Sequence, residues 1–216
     1  MSQQNPGESQ PAITAKLRNE PVQARSTARL TRLLDAAAEV IDEIGFERLT
    51  TAMVAERAGA SIGTVYRYFP DRIAVLQSLS VRATSEFIDE VTATLREDSH
   101  STWLQAMDAA LELLHQSFRS KGGFRSLRFG DVIDLRPVEG SVTNGAVVSN
   151  AIAGVLESRF GLSSSDLAFH IDVSLAMADA LFARSFAASA AGDDRFSAAA
   201  KTVAHDYLVQ ELGQPA

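Results

Sequence analysis

The sequence predicts an all-α protein of about nine helices. From Ser26 onward, apolar residues recur every three or four positions, which is the period of a helix with one buried face. No segment alternates apolar and polar residues over a useful length, as a half-buried strand would. The predicted helices cover, in chain order, residues 26–44, 51–58, 62–69, 72–97, 102–119, 124–132, 142–160, 166–190 and 195–212.

The first helix follows a segment with no periodicity. Residues 1–24 hold three of the six prolines and are predicted to form a disordered tail. The helix carries apolar residues from Leu30 to Ile44, and Gly45 is typical of a C-terminal stop.

Two short helices with a tight turn come next. Thr50 and Thr51 are both candidate N-caps of the first, and Gly59 ends it. Ser61 is the candidate N-cap of the second, and Asp71 that of the long helix four. Two helices joined by a Gly-containing turn have the general helix-turn-helix form.

The remaining helices are separated by similar signals. Glycines 122–123 break the chain after helix five, and residues 136–140 are predicted to form a loop. Gly161 closes the seventh helix, residues 163–165 offer caps for the eighth, and residues 192–194 precede the last.

Composition and charge exclude several classes of protein. The 216 residues are 46% hydrophobic and 22% charged, as in an ordinary globular protein. The absence of cysteine excludes disulfides, thiol catalysis and Cys-ligated zinc. Since no signal peptide or membrane-spanning run is visible, we expect a cytoplasmic protein. The net charge of -7 is uneven: residues 1–82 hold ten basic and nine acidic residues, and residues 83–216 hold ten and eighteen. The N-terminal part could therefore present a local basic face.

Helix three is predicted to have one core face and one outward face. At about 100° per residue, Val65 and Phe69 share the core face, with Ile62 close by. The outward face carries Gly63, Thr64 and Arg67, with Tyr66 at its edge. In a helix-turn-helix protein the second helix enters the major groove. Spacing alone is equally compatible with an ordinary helical corner.

The residue types suit contact with DNA. The N–H groups at the Ser61 cap can receive a phosphate, and Gly63 lets the backbone approach a groove closely. Hydroxyl groups for phosphate oxygens are supplied by Thr64, Tyr66 and Tyr68. Arg67 and Arg72 add positive charge, and arginine can pair with guanine O6 and N7.

The same stretch matches a known family in its residues and spacing. The matching residues are Ile41-Asp-Glu-Ile-Gly45-Phe46, Leu49-Thr50-Thr51, Val54-Ala55, Ala58-Gly59, Ser61, Gly63-Thr64-Val65-Tyr66, Tyr68-Phe69-Pro70-Asp71-Arg72 and Leu76. They resemble, without gaps over about fifty residues, the N-terminal domain of TetR-family transcriptional regulators. The Gly-Thr-x-Tyr-x-Tyr-Phe core is highly specific, and the resemblance covers about a quarter of the chain.

The resemblance implies roles for individual residues. It implies that Thr51, as the N-cap of helix two, contacts a phosphate, and that Arg72, where lysine is usual, does so as well. Arg67 occupies a variable position and could set sequence preference, and Ala60 replaces the commoner valine of the turn. The residues that helix three would bring to the groove and backbone are Ser61, Ile62, Gly63, Thr64, Tyr66 and Tyr68.

The resemblance also implies a division into two domains. A DNA-binding domain would span residues 25–82, and a ligand-binding and dimerisation domain residues 83–216. The protein would be a homodimer through its last two helices, bound to a palindromic operator on double-stranded DNA. Apolar stripes on those helices are compatible with this, although such stripes are usually core.

A small organic effector is predicted, and a flat hydrophobic one is preferred because apolar candidates outnumber charged ones. The candidate lining residues are Trp103, Met107, Leu111, Phe118, Phe124, Phe129, Asn150 and Met177. For each of them, a place in the core is the favoured interpretation, since aromatic residues at helical spacing are usually core. We expect no cofactor and no metal, since the four histidines are scattered without ligand spacing.

Three functions are compatible with these observations. The first is a repressor released from its operator by a ligand; the second is a similar DNA-binding protein with no small effector, regulated by a protein partner. The third is a helical enzyme, which the absence of G-x-S-x-G, Walker and G-x-G-x-x-G motifs makes remote. Asp131 and Asp134 near Arg128 could suggest acid–base chemistry, but charges around a loop are normally solvated.

Overall fold

The protein is a bundle of helices throughout the part that the computed structural model describes. That part comprises the backbone of residues 12–121, 124–125 and 143–215, with side chains from residue 24 onward. Its α-helices are α1 (Ala12–Ile44), α2 (Thr51–Arg57), α3 (Ile62–Tyr68), α4 (Arg72–Leu95), α5 (Trp103–Ser120), α6 (Asn144–Phe160), α7 (Leu167–Ser185) and α8 (Asp194–Leu212). A 3-10 turn over Phe46–Arg48 joins α1 to α2. Since these ranges contain no strand, the predicted all-α fold is confirmed.

Side-chain caps fix where several helices begin. The Ser61 and Asp71 side chains accept hydrogen bonds from the backbone N–H groups of Thr64 and Ala74, at 3.2 and 2.8 Å. Thr102 and Gln105 form a reciprocal capping box at the start of α5. Each cap satisfies an N–H group that has no partner within its own helix.

Two separate apolar cores lie along the chain. The first joins α1, α2, α3 and the N-terminal part of α4; its most enclosed side chains include Leu33, Ile41, Val65, Phe69 and Leu76. The second joins the C-terminal part of α4 to α5, α6, α7 and α8; its most enclosed side chains include Phe87, Met107, Phe118, Ile152 and Phe182.

Helix α4 belongs to both cores. Leu79 packs in the first and Phe87 in the second, two turns further along the same helix. The far end of α4 is held by Arg159 of α6, which donates hydrogen bonds to the carbonyl oxygens of Leu95 and His100 at 3.0 and 3.2 Å. A shift of α4 in one core is therefore transmitted to the other.

The first helix differs from the sequence prediction. It begins at Ala12 and continues through Pro21, whereas residues 1–24 were predicted to form a disordered tail. Proline disfavours a helix interior by about 3 kcal/mol, which is why the sequence indicated a break there. Many of the surrounding residues are good helix formers, including Ala15, Lys16 and Leu17.

Two later segments also differ from the prediction. Helix α7 ends at Ser185 and not near residue 190, because the N–H of Asp193 bonds the Ser185 carbonyl at 3.0 Å and draws the chain toward α8. Of the helix predicted over residues 124–132, only residues 124–125 are described, and they are helical. The loop predicted over residues 136–140 lies outside the described residues.

Candidate nucleic-acid interface

The turn between α2 and α3 is short because Gly59 adopts a left-handed conformation, with φ at +60°. Other residues pay a steric penalty in that region, which explains the glycine. The N–H of Ala60 then bonds the carbonyl oxygen of Ala55 at 2.9 Å, so the chain reverses within one residue. This geometry sets α3 against α2 as a helix-turn-helix unit.

Helix α3 has one buried side and one exposed side. Val65 and Phe69 are buried in the first core, as their spacing predicts. Tyr66 is 54% exposed, and Gly63 and Arg67 are exposed as well. The exposed side thus carries the groups that the sequence assigned to DNA.

Ile62 lies on the exposed side rather than close to the core face. Ile62 is 43% exposed, whereas Val65, three residues later and almost one turn along the helix, is buried. Ile62 is the first residue of α3, and its neighbours Ser61 and Gly63 are exposed as well. An exposed isoleucine is free to contact a thymine methyl group or a sugar.

Hydroxyl groups on and around α3 are linked to one another. The Thr51 hydroxyl donates to the phenol oxygen of Tyr66 at 3.4 Å, which connects α2 to α3. The Ser61 and Thr64 hydroxyl oxygens lie 2.9 Å apart. The Tyr68 and Ser26 hydroxyl oxygens lie 3.2 Å apart and connect the end of α3 to α1.

The cap of α2 is Thr50 and not Thr51. Thr50 has an extended backbone, and its side chain accepts from the N–H of Met53 at 3.2 Å. Thr51 is already helical, so its hydroxyl is not used as a cap and bonds Tyr66 instead. Adjacent threonines offer the same chemistry, and only backbone geometry decides between them.

Arg72 begins α4 but is held by the protein itself. Its guanidinium donates to the carbonyl oxygen of Glu47 at 2.7 Å, in the 3-10 turn before α2. The side chain is half-buried. A phosphate contact by Arg72 would use its remaining N–H groups, since a guanidinium carries five donors.

Gly63 is the residue of α3 whose missing side chain has no internal explanation. A Cβ atom added there would meet only the Ser61 hydroxyl oxygen, at 4.0 Å, so the protein has room for alanine. Glycine in a helix interior costs about 1 kcal/mol relative to alanine. Packing inside the protein therefore does not account for the glycine.

An ion-pair cluster holds α2 against α1. Arg57 lies 3.2 Å from a carboxylate oxygen of Glu39 and 2.6 Å from one of Glu43. The hydrogen bond from Arg57 lowers the pKa of Glu43 below its ordinary range. One arginine thus offsets part of the charge of these two carboxylates on the side of α1 that faces α2.

The residues that were predicted to line a ligand pocket differ in their burial. Trp103, Met107, Leu111, Phe118 and Phe124 are all buried in the second core, and Met177 is half-buried. Phe129 lies outside the described residues.

Asn150 does not face the core, contrary to the prediction. It is exposed, and its amide donates to the Ala146 carbonyl oxygen of its own helix at 2.6 Å. Val148 and Ile152 of α6 face the second core, and a residue midway between them points away from that core.

A cavity of about 190 Å³ lies where the two domains meet. It is bounded by α1, α4, α5 and Phe124, and its charged residues are Asp42, Arg82, Glu86 and Lys121. Burial raises the pKa of Asp42, and the charge of Arg125 opposes that shift.

Apart from Phe124, the residues of this cavity are not predictable from a local motif, because its walls come from three helices that are distant in sequence. Ser26 is likewise not marked by any motif, since its contact with Tyr68 joins residues 42 positions apart.

The described residues show no cluster of potential metal ligands. Among their helices, none combines the length and apolar character needed to cross a membrane.

Comparison with known proteins matches both domains. Residues 33–79 match the family "Bacterial regulatory proteins, tetR family", and residues 101–212 match "Tetracyclin repressor-like, C-terminal domain". The second match alone covers more than half of the chain. The protein belongs to the TetR family. It is accordingly a DNA-binding transcriptional regulator and not an enzyme.

Solved structures agree over nearly the whole TetR-family fold. A TetR-family regulator from Streptomyces coelicolor is 29% identical, with a TM-score of 0.71, and the match covers 84% of this chain and 98% of that one. Bacillus subtilis FadR, solved with stearoyl-CoA, is 17% identical with a TM-score of 0.60 over 85% of this chain and 98% of its own, which shows the fold alone.

Curated relatives match over shorter stretches. The nucleoid occlusion factor SlmA of Haemophilus influenzae is 31% identical over 88 residues, which are 41% of this chain and 39% of SlmA. The chain thus spans about two fifths of that relative's length. The fatty acid metabolism regulator protein of Bacillus subtilis is 25% identical over 152 residues, 67% of this chain and 74% of its own length.

Proposed function

We propose that this protein is a homodimeric repressor that binds a palindromic operator and is released from it by a small apolar effector. The observation that carries the proposal is the exposed side of α3. Tyr66, Arg67 and Gly63 face outward from a helix whose opposite side, Val65 and Phe69, is buried. A helix held in this way can enter a major groove as a rigid unit.

The last two helices support the homodimer. Phe169 on α7 and Val203 on α8 are 62% and 42% exposed, whereas other faces of these two helices are buried in the second core. At 100° per residue they share their faces with the half-buried Val173 and with three exposed alanines, Ala176, Ala180 and Ala199. Two such faces packed together would form a four-helix interface and place two copies of α3 on one side of the dimer.

The interdomain cavity supports an effector that acts through α4. It touches Leu79 of the first core and Phe87 of the second, and Phe124 lies at its edge. Its 190 Å³ is smaller than the 300 to 1,000 Å³ typical of sites for organic ligands. A ligand seated there would therefore have to separate α1 from α4 and α5, and so turn the DNA-binding domain.

The chemistry of the effector is proposed to be apolar with a polar end. Phe87, Phe124 and Leu79 offer apolar surface. The charged lining residues are balanced, since Arg82 and Lys121 stand beside the carboxylates of Asp42 and Glu86. The relative that was solved with stearoyl-CoA makes acyl-CoA thioesters the first probes to use. A ligand can shift the equilibrium only by its differential affinity for the two states of the dimer.

Selection of duplexes from a random DNA library tests the proposal. We expect the enriched sequences to be inverted repeats whose half-sites lie about 34–36 Å apart or a multiple of that. Enrichment of a single half-site, or of no sequence, would contradict the operator and dimer parts of the proposal.

A second experiment tests the effector part. Stearoyl-CoA and shorter acyl-CoA thioesters are added to the complex of the wild-type protein with its selected duplex, and to that of the Phe124→Ala variant. We expect at least tenfold weaker DNA binding for the wild type with one of these probes, and a smaller effect for the variant. No effect of any probe would favour the alternative of a regulator controlled by a protein partner.

A further inference from the structure

Three exposed arginines lie on one side of α1 near its N-terminal end. Arg25, Arg29 and Arg32 are spaced by four and three residues, which places them within about 60° of one another around the helix. No aspartate or glutamate occurs between Glu20 and Asp35. None of the three arginines forms an ion pair with a side chain that the structure describes. Their charge is therefore available to an external partner.

This basic stripe, defined as Arg25, Arg29 and Arg32, lies beside the recognition helix. Ser26, the neighbour of Arg25, has its hydroxyl oxygen 3.2 Å from that of Tyr68 at the end of α3. The stripe thus begins where the DNA-facing helix ends, and it continues along a separate element.

The stripe also lies on the side of α1 against which α2 packs. Glu39 and Glu43 follow Arg32 by seven and eleven residues, which returns each of them to within about 20° of Arg32. Both glutamates meet Arg57 of α2, at 3.2 and 2.6 Å. The helix-turn-helix unit and the basic stripe therefore lie toward the same side of the domain, and Arg57 offsets part of the charge of the glutamates on that side.

We propose that Arg25, Arg29 and Arg32 bind DNA phosphates that flank the half-site contacted by α3. This inference rests on the proposed function, because it needs the protein to bind duplex DNA. The arginines project from the same continuous helix that carries Leu33 and Ile41 into the core, so their backbone is fixed before DNA arrives. They contribute affinity independent of sequence, whereas α3 supplies the preference for one operator.

Salt dependence of binding distinguishes the two contributions. The double variant Arg29→Ala/Arg32→Ala is compared with wild type by fluorescence anisotropy on the selected duplex and on a scrambled duplex, across a series of salt concentrations. Since each lost phosphate contact lowers the slope of log K against log[salt] by about 0.9, the slope should fall by about 1.8 for each protomer bound. The affinity at 0.15 M salt should fall roughly thirtyfold per protomer, by the same factor for both duplexes.

Two control variants complete the experiment. Arg29→Lys/Arg32→Lys keeps the charge and should restore most of the slope. Arg96→Ala, at the far end of α4, removes one exposed positive charge and should leave the slope unchanged. Circular dichroism melting checks that all variants fold, and alanine in place of exposed arginine preserves the helix.

The outcomes distinguish failure of the stripe from failure of the proposed function. An unchanged slope for the alanine double variant, with strong operator binding, overturns the role of the stripe and leaves the proposed function standing. A loss of affinity for the selected duplex alone would also overturn the role of the stripe, because such a loss would show that the arginines contact bases and not phosphates. Failure of the wild-type protein to bind any duplex would overturn both proposals.

Discussion

The Thr51 hydroxyl donates a hydrogen bond to the phenol oxygen of Tyr66, at 3.4 Å, across the turn between α2 and α3. Tyr66 is more than half exposed, and this hydrogen bond links its phenol group to α2 at the protein surface. The first helix of the unit thereby positions a side chain of the second. A DNA-contacting group that is fixed beforehand loses less conformational entropy on binding.

The first prediction concerns this pair. Thr51→Val and Tyr66→Phe should each weaken operator binding about three- to tenfold, and the double variant should lose less than the sum of the two free energies. The coupling in a double-mutant cycle should be about 0.5–1.5 kcal/mol, the usual net value of one hydrogen bond. The measurement is operator affinity by fluorescence anisotropy. Strict additivity would show that Thr51 and Tyr66 act independently; Thr202→Val, exposed on α8, serves as the control.

The second prediction uses Gly63. Gly63→Ala should stabilise the protein by about 1 kcal/mol, because alanine favours a helix and the new methyl group meets open space. The same methyl group should obstruct the close approach to a groove and weaken operator binding about tenfold. Thermal melting and anisotropy measure the two effects.

Gly154→Ala is the matched control for Gly63→Ala. Gly154 lies within α6, and a Cβ atom there also has nothing within 4 Å. It should stabilise the protein similarly and leave DNA binding unchanged. If Gly63→Ala bound the operator as well as wild type, the groove-contact explanation for this glycine would be wrong.

The third prediction concerns the dimer. Phe169→Asp/Val203→Asp should convert the protein to a monomer, because two carboxylates would be buried without partners in the proposed interface. Light scattering after gel filtration gives the mass. Val81→Asp, a substitution of a similarly exposed residue on α4, should leave the dimer intact. A dimer that persists in the double variant would place the interface elsewhere.

The fourth prediction follows from the cap of α8. Hydrogen bonds from Arg195 hold the pKa of Asp193 at about 2, below its ordinary 3.8. Because the folded-state value is the lower one, the stabilising effect of this carboxylate is complete above about pH 4 and is lost as the pH falls toward 2. Carbon-13 NMR titration of the carboxyl group should report the low pKa, and Arg195→Ala should raise it. An unchanged Asp193 pKa in Arg195→Ala would exclude Arg195 as the cause.

The sequence predicted most of the fold because helix periodicity and caps are local. Ser61 and Asp71 cap the helices that their positions indicated, and Val65 and Phe69 are buried as their spacing requires. The outward set on α3 was predictable for the same reason. Pro21 misled the prediction, since a proline is a statistical helix breaker that a particular chain can accommodate.

Other features depend on contacts between distant residues, which periodicity does not report. Arg72 turns to the Glu47 carbonyl, 25 positions earlier, and Tyr68 contacts Ser26, 42 positions earlier. The interdomain cavity is assembled from α1, α4 and α5. The angle of 100° per residue predicted that Ile62 lies near the core side of α3, yet this first residue of the helix is exposed.

The most direct test of the central claim is the operator affinity of Tyr66→Ala/Arg67→Ala. Both side chains are exposed, so truncation should leave the melting temperature nearly unchanged. If the exposed side of α3 reads DNA, anisotropy should show at least a hundredfold loss of affinity for the selected duplex, with Arg96→Ala binding as wild type does. A folded double variant that binds this duplex with wild-type affinity would contradict the assignment of α3 as the recognition helix.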